Sequence, residues 1–524
     1  EKKYMTNKNP KLDTDGNGYP LDCSGWSILG SVNQAGILGR PDFSDDQGHG
    51  THVAGIIGAK WSQSFKGVNG VSPRVKILPV QVIGKRPSEP VKPLSVDPLS
   101  LSPMEVKSLI PKKTLGDMIA RGLLYAIKSK AQVINFSLGW PAARDSFLLK
   151  SMIEAAIKRG IFVVAAAGND STRALLRPCA YEGVICVASH GPDGAISHFS
   201  NYGSGVDLAA PGLNILSTYP LDQRPVHFRK TWGFEFISGT SQAAPFVSGV
   251  IADMLALGVP RNEIYPRLML GARPSKESLG IIEGAPHLNG KSLRAEDLNY
   301  KKFILGGNMD YGQALKMAAR PLILPVVKEK TPVDFDLKQQ TLHLPLKIKN
   351  FWQSVSWSDI QIKTRFRQVA NGIRPQIKQI HRLPQDGVFT GQAEITLDVE
   401  VEINDDNPRD TRIPGDLDLE VSIFLKGQKT KVWIQEYELL VPVSISLNYP
   451  GIQKFKIRDF PNGQVEWNPI DEPFDNQPTK KDYILTQQEK NALRVSLLTQ
   501  NEKGDYVNIG SQQIQIKGKV ENLR

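Results

Sequence analysis

Between residues 75 and 189 the chain alternates short apolar runs with helical stretches, and this alternation constrains the fold more than any other feature of the sequence. The runs are VKILPVQVI (75–83), AQVINFSLG (131–139), GIFVVAAAGN (160–169) and GVICVAS (183–189). Between them lie LGDMIARGLLYAIKSK (115–130) and DSFLLKSMIEAAIKRG (145–160), whose apolar residues recur at helical spacing. Strands that are apolar throughout are covered on both faces, so residues 1–320 are expected to form an α/β domain, a parallel sheet with helices on each side. After YGQALKMAAR (311–320) the period changes to two, as in AEITLDVEVEI (393–403) and LDLEVSIFL (417–425). That alternation predicts a β-sandwich over 321–447. Residues 448–524 are expected to add a small β module, or extra strands on the first. The Pro- and Ser-dense stretch 84–114 is expected to be an exposed insertion.

Chemistry concentrates in a few short stretches. DDQGHGTHVAG (45–55) has two histidines at i and i+3 with no glutamate between them, unlike a zinc-binding H-E-x-x-H helix. In SGTSQAAPFVSGVIADMLA (238–256), Gly-Thr-Ser precedes a small-residue helix with Pro245 in its first turn, where proline is tolerated. Ser241 therefore sits near a helix N-terminus, whose free N–H groups and dipole favour developing negative charge. AAAGND (165–170) ends a buried strand in Gly-Asn, an amide able to donate to an oxyanion. INFSLG (134–139) ends another in a glycine against which an extended peptide can pair.

HGTHVAG, AAGN and GTSQAAP, in this order, together with GVSPRVKILPVQVI and HFSNYGSGVDLAAPGLNILST, resemble the subtilisin-like serine proteases, the subtilases, over residues 1 to about 320. The resemblance implies a subtilisin-like fold and serine endopeptidase activity, with His49 as base, Ser241 as nucleophile and Asn169 as oxyanion donor. Gln242 stands where most members carry methionine, and His52 is expected to be neutral and hydrogen-bonded within its helix. The resemblance puts Leu115 and Gly116 on one side of an extended protein or peptide substrate and Ser137, Leu138 and Gly139 on the other. Ala166, Ala167 and Gly168 would wall the P1 pocket. Trp140, where the family carries a small residue, would narrow the cleft, and Asp170 would favour a basic P1 side chain. DTDGNGYPLD (13–22) follows the D-x-D-x-N-G spacing of a calcium loop without the closing glutamate. A plain Asx-rich turn is the alternative to Ca²⁺ held by Asp13, Asp15, Asn17, the Tyr19 carbonyl and Asp22.

Members of the family begin their catalytic domain with an apolar strand ending in Asp-Thr-Gly or Asp-Ser-Gly, whose aspartate orients the base. No such strand is present, and Asp45 and Asp46 lie too close to His49 to occupy a separate one. The expectation is a cleaved N-terminal fragment carrying the catalytic aspartate; a truncation, or an inactive core serving as a binding scaffold through its β region, are the alternatives. Three cysteines are few for 524 residues; Cys179 and Cys186 either close a short loop or remain thiols, and Cys23 is left over. The net charge of +11 resides wholly in residues 1–320, since residues 321–524 carry 27 Lys and Arg against 27 Asp and Glu. No basic stripe interleaved with aromatics accompanies it, so no nucleic-acid partner is expected. No stretch approaches the ~20 apolar residues of a transmembrane segment, and 1–5 lead into no apolar signal segment. The resemblance implies a secreted or cell-envelope protein, bacterial in type.

Overall fold

The computed structural model describes residues 13, 15–20, 22, 25–32, 38–41, 45–61, 67–84, 115–220, 233–273, 304–334, 341–368, 374–404 and 417–447, and the strands within 454–513. The greater part of the insertion, 85–114, lies outside the described residues, as does Cys23. The chain divides into two compact units, 1–319 and 320–524.

The first unit contains strands β1 (Trp26–Val32) and β2 (Leu38–Arg40), helix α1 (His49–Gly58), β3 (Val80–Gln81), α2 (Leu115–Lys128), β4 (Val133–Phe136), α3 (Phe147–Lys158), β5 (Phe162–Ala166), β6 (Val184–His190), β7 (Leu208–Pro211), the hairpin β8 (Ile215–Thr218) and β9 (Phe234–Ile237), then α4 (Thr240–Ala256), α5 (Arg261–Gly271) and α6 (Tyr311–Lys316). β4, β5, β6 and β7 form a parallel sheet in that order. Its registers include Val133 opposite Phe162, Val163 opposite Val184 and Val187 opposite Leu208. The runs are apolar at every position because both faces are covered. Val163, Ala165, Val184, Cys186 and Ala188 pack with Leu123, Ile127, Leu149 and Ile153 of α2 and α3. α4 packs against all four strands and against α1. Its small residues allow the close approach, and Ala243, Ala244, Val247 and Ile251 are wholly buried. The result is a three-layer α/β unit.

The run at 75–83 departs from expectation. Only Val80 and Gln81 are strand, and they pair with β1 (Trp26 opposite Val80) in a separate sheet ordered β2-β1-β3. Ile77 and Ile83 remain 39% and 45% exposed. Both β3 and β4 lie beneath α2: a Cβ on Gly122 would fall 2.8 Å from Val82 and 3.1 Å from Val80, while the same helix packs on Phe136. Among the described residues no ladder joins β3 to β4, and Val133, Ile134 and Asn135 are only half-buried. Among the described residues β3 pairs with β1 alone, which leaves the run without a strand on its other edge.

The second unit is all β. One sheet orders Ile323–Pro325, Thr341–Asn350, Glu394–Asn404 and Arg374–His381; the other orders Thr331–Asp334, Gln428–Leu447, Leu417–Leu425 and Ile360–Gln368. In Thr341–Asn350, Leu342, Leu344, Leu346 and Ile348 are buried while His343 and Pro345 are exposed, the period-two pattern read from the sequence. Within 448–524, Thr479–Leu485 pairs with Val441–Leu447, extending the sandwich, and the remaining strands form a four-stranded sheet.

His52 is fully buried and bonds outside its own helix. Its Nε2 lies 3.1 Å from the carbonyls of both Ile215 and Glu235, tying α1 to the β8–β9 hairpin, and its Nδ1 is buried without a partner. Two carbonyls at Nε2 require that atom to carry a proton, and Nδ1 has no acceptor among the described residues for a second one. Burial holds its pKa below the ordinary 6.5, although the two carbonyls pull the other way. A base whose folded pKa is depressed contributes stability that is fully present above the unfolded pKa and is lost as pH falls below it. Stability should therefore decline as pH drops below about 6.5, and His52→Gln, which keeps an N–H donor and does not titrate, should flatten that decline in urea melts at pH 7.5 and 5.5. An unchanged pH slope would exclude His52 as the origin.

Candidate active site

The candidate residues lie at the ends of β4 and β5 and at the starts of α1 and α4, two helices that pack on each other. α1 opens on Gly48, whose φ is +84°, and a Cβ there would fall 2.3 Å from the Tyr219 ring. The helix start is held by Asp45. One carboxylate oxygen accepts from the N–H groups of Gln47 (3.0 Å) and Gly48 (2.8 Å), the other from the N–H and hydroxyl of Thr51 (2.7 Å each). Burial would raise the Asp45 pKa, but these hydrogen bonds outweigh it and hold the carboxyl below its usual value. Asp45 is thus committed to capping α1. His49, the first residue of the helix, is exposed, and among the described residues its ring makes no hydrogen bond. Its pKa lies below the ordinary 6.5 because surrounding chain desolvates the cation, an effect the Asp45 charge partly offsets.

Ser241 lies in the first turn of α4, where N–H groups lack intrahelical acceptors. Its hydroxyl donates to the Ser137 carbonyl at 3.1 Å, and the Ser137 hydroxyl donates to the Ser241 carbonyl at 2.7 Å. A chain of polar groups fixes Ser137 in turn: Asn135 Nδ2 donates to its Oγ at 2.9 Å, and Ser248 Oγ donates to Asn135 Oδ1 at 2.8 Å. Asn169 follows β5. Its Oδ1 accepts from the Thr240 N–H (2.9 Å) and hydroxyl (3.0 Å), while Thr240 Oγ1 accepts from the Gly168 N–H (3.1 Å). With Oδ1 occupied, Nδ2 is left as a donor. A Cβ built on Gly239 would stand 3.5 Å from Asn169 Nδ2 and 3.7 Å from the Ser241 N–H. Two nitrogen donors without a protein acceptor among the described residues thus lie within 4 Å of one point beside Gly239.

Residues 33–263 match the profile of the Subtilase family, Peptidase_S8. This stretch is a subtilase domain. The chain is 37% identical over 232 residues to the major intracellular serine protease of Bacillus subtilis (strain 168), covering 41% of this chain and 61% of that protein. It is 33% identical over 216 residues to subtilisin Savinase of Lederbergia lenta, covering 41% and 66%. The chain thus spans less than two thirds of the length of these relatives. Among solved structures, the prenylagaramide maturation protease PagA aligns with a TM-score of 0.37 at 25% identity, covering 52% of this chain and 82% of that one.

Within the subtilase domain the residues singled out by the motifs take the following places. Ser137 touches Ser241 directly; Leu138 and Gly139 continue from it, pinned where Trp140 and Arg177 exchange backbone hydrogen bonds of 2.9 and 2.7 Å. Ala166, Ala167 and Gly168 close β5 and are buried; Asp170 is exposed, where a carboxylate gives little to a neighbouring cation. Leu115 and Gly116 open α2. Trp140 is 4% exposed and packs on Phe136 with its N–H on Asp145 at 3.2 Å, so it turns into the core. Cys179 and Cys186 form a disulfide.

The acidic loop stands apart, against the end of α2. Asp13 accepts from the N–H groups of Gly16 and Gly18, Asn17 Oδ1 from that of Tyr19, and Asn17 Nδ2 donates to Asp15 (3.2 Å), Asp22 (2.8 Å) and Ser129 (3.1 Å). An amide nitrogen therefore occupies the place between the carboxylates, and among the described residues no group of three or more His, Cys, Asp or Glu side chains is arranged to hold a metal ion.

Three contributors lie inside stretches quoted above without a role assigned to them there. Thr240 aims Asn169; Gly239 leaves the donors' meeting point open; and buried Asn201 accepts from the Asp170 N–H (2.9 Å) while donating to the Ala167 carbonyl (3.0 Å), fixing the turn that carries Asn169. Gly239→Ala should fill the donors' meeting point with a methyl group. We expect kcat on a chromogenic peptide to fall about 100-fold, the scale of losing an oxyanion donor, with circular dichroism unchanged; retention of native kcat would show that the point is not used.

Proposed function

We propose that this chain is the larger part of a secreted bacterial serine endopeptidase. The observation that carries the reading is that Asn169 Nδ2 and the backbone nitrogen of Ser241, the residue that bears the nucleophilic hydroxyl, lie 3.5 and 3.7 Å from one point beside Gly239. Donors fixed before the substrate arrives need no reorganisation when a carbonyl oxygen becomes an oxyanion. In the reaction the Ser241 hydroxyl leaves the Ser137 carbonyl for His49, which takes its proton as the oxygen attacks the scissile carbonyl; His49 then returns that proton to the leaving amine, and water releases the acyl group by the same route. Desolvation by the surrounding chain lowers the His49 pKa and so favours the neutral form, the one that can accept. The substrate is a polypeptide extended between Leu115–Gly116 and Ser137–Gly139.

A base without a carboxylate partner is poorly oriented, and in a subtilisin loss of that aspartate lowers kcat about 3 × 10⁴-fold. Two observations support an additional strand between β3 and β4: neither strand pairs with the other, and the apolar residues on both edges are incompletely covered. We propose that a cleaved N-terminal fragment supplies this strand and ends it in the aspartate beside His49. The buried disulfide fits an oxidising compartment. The alternative, an inactive scaffold that binds through its β domains, draws on the unpartnered His49 ring.

Calcium at the 13–22 loop also stands as a proposal. It requires Asn17 to turn its amide so that an oxygen replaces Nδ2 between Asp15 and Asp22. Binding would raise Tm by linkage, read by calorimetry in Ca²⁺ against EGTA; equal values would leave the loop an Asx turn.

A fluorophosphonate should label Ser241 of the native protein, and Ser241→Ala and His49→Ala should both abolish labelling. The labelling rate should rise with pH as His49 loses its proton. Because a nearby carboxylate raises a histidine pKa, a midpoint above about 6.5 supports the inserted aspartate and a midpoint below it overturns that assignment. No labelling at any pH would favour the scaffold.

A further inference from the structure

Gln242 is a polar residue of the site that the reaction above leaves unused. It follows the nucleophile in the first turn of α4 and is 1% exposed. Its Nε2 is buried with no hydrogen-bond partner among the described residues. A buried amide N–H₂ without an acceptor is costly, and an apolar side chain of the same length would avoid that cost. The amide nevertheless borders the place where the other donors meet: the Cβ position on Gly239 that lies 3.5 Å from Asn169 Nδ2 and 3.7 Å from the Ser241 N–H lies 2.8 Å from Gln242 Oε1.

A half-turn of the amide exchanges Oε1 and Nε2 with almost no change of shape. It brings N–H₂ into the volume shared by the two existing donors. The carbonyl oxygen then occupies the unpartnered position, so one orphaned group replaces another. What changes is the response to charge: a negative oxygen beside Gly239 is repelled by Oε1 and attracted by Nε2. We propose that Gln242 is a third oxyanion donor, its amide turning toward the substrate oxygen as charge develops there. The inference rests on the protease reading and adds to it a residue that binds only the charged intermediate, an interaction that raises kcat and leaves KM alone.

The test compares the native protein with Gln242→Met, which keeps the length and loses the donor, and Gln242→Glu, which keeps the shape and places a carboxylate there. For Gln242→Met we expect kcat on a peptide anilide to fall about 10-fold, less than the 10²–10³ for a principal donor, with KM within about twofold. Inhibition by a peptide aldehyde, whose adduct with Ser241 places an oxygen in the same position, should weaken by the same factor. Gln242→Glu should lose more. The stability readout runs the opposite way: Gln242→Met removes a buried unsatisfied amide, so its Tm should equal or exceed the native value, whereas a packing role would lower Tm and activity together. Native kcat and native aldehyde affinity in Gln242→Met would overturn the donor role alone. A native protein that neither hydrolyses peptides nor takes the fluorophosphonate would overturn both this inference and the reading beneath it.

Discussion

The joint between the end of β5 and the start of α4 is the constraint on which the rest of the site depends. Thr240 carries it: its hydroxyl accepts from Gly168 and donates to Asn169, and its N–H donates to the same Asn169 oxygen. One residue thereby locks a strand end to a helix start and fixes which end of the Asn169 amide faces outward. Every other distance at the site is measured from that lock. The turn that carries Asn169 is held by buried Thr240 and Asn201, so the donor pair is tied to the core beneath it.

That core explains the choice of residues. A helix that must run across four strands and beside another helix cannot carry large side chains on all faces, and α4 meets the requirement with alanines, a serine and Gly249, whose Cβ would fall 2.7 Å from Val71. Close approach is also what lets Ser248 reach Asn135 and so steady the strand end opposite the nucleophile. Packing and chemistry therefore draw on the same small residues, and an enlarged residue here would disturb both.

The fold was legible in the sequence wherever a strand was covered by both layers. The runs ending at Gly139 and Asn169 and in β6 lie where their apolar continuity put them, and the nucleophile's helix start was marked by Gly-Thr-Ser. The run at 75–83 misled because periodicity reports what a strand can bury and not whether a neighbour is there to bury it. His52 was read as a helix-internal partner, yet its bonds go to Ile215 and Glu235, more than 160 residues away along the chain; no local pattern encodes such a contact. Thr240, Asn201 and the Asn135–Ser248 pair were illegible for the same reason: a polar residue's partner is chosen by tertiary placement. Trp140 resembled a cleft residue by position, but a large ring beside a half-buried carboxylate found more to bury inward.

The disulfide between Cys179 and Cys186 sits at the back of the same sheet, Cys186 within β6 and opposite Ala165 of β5, with no exposed surface on either residue. Thiol exchange needs a thiolate to approach a sulfur in line with the bond, and here the parallel ladder and the α2–α3 layer stand in the way. Reduction must therefore wait for that cover to part. The bond behaves as a latch that opens only after the wall, so the rate at which a reductant severs it is a clock for opening of the core around it.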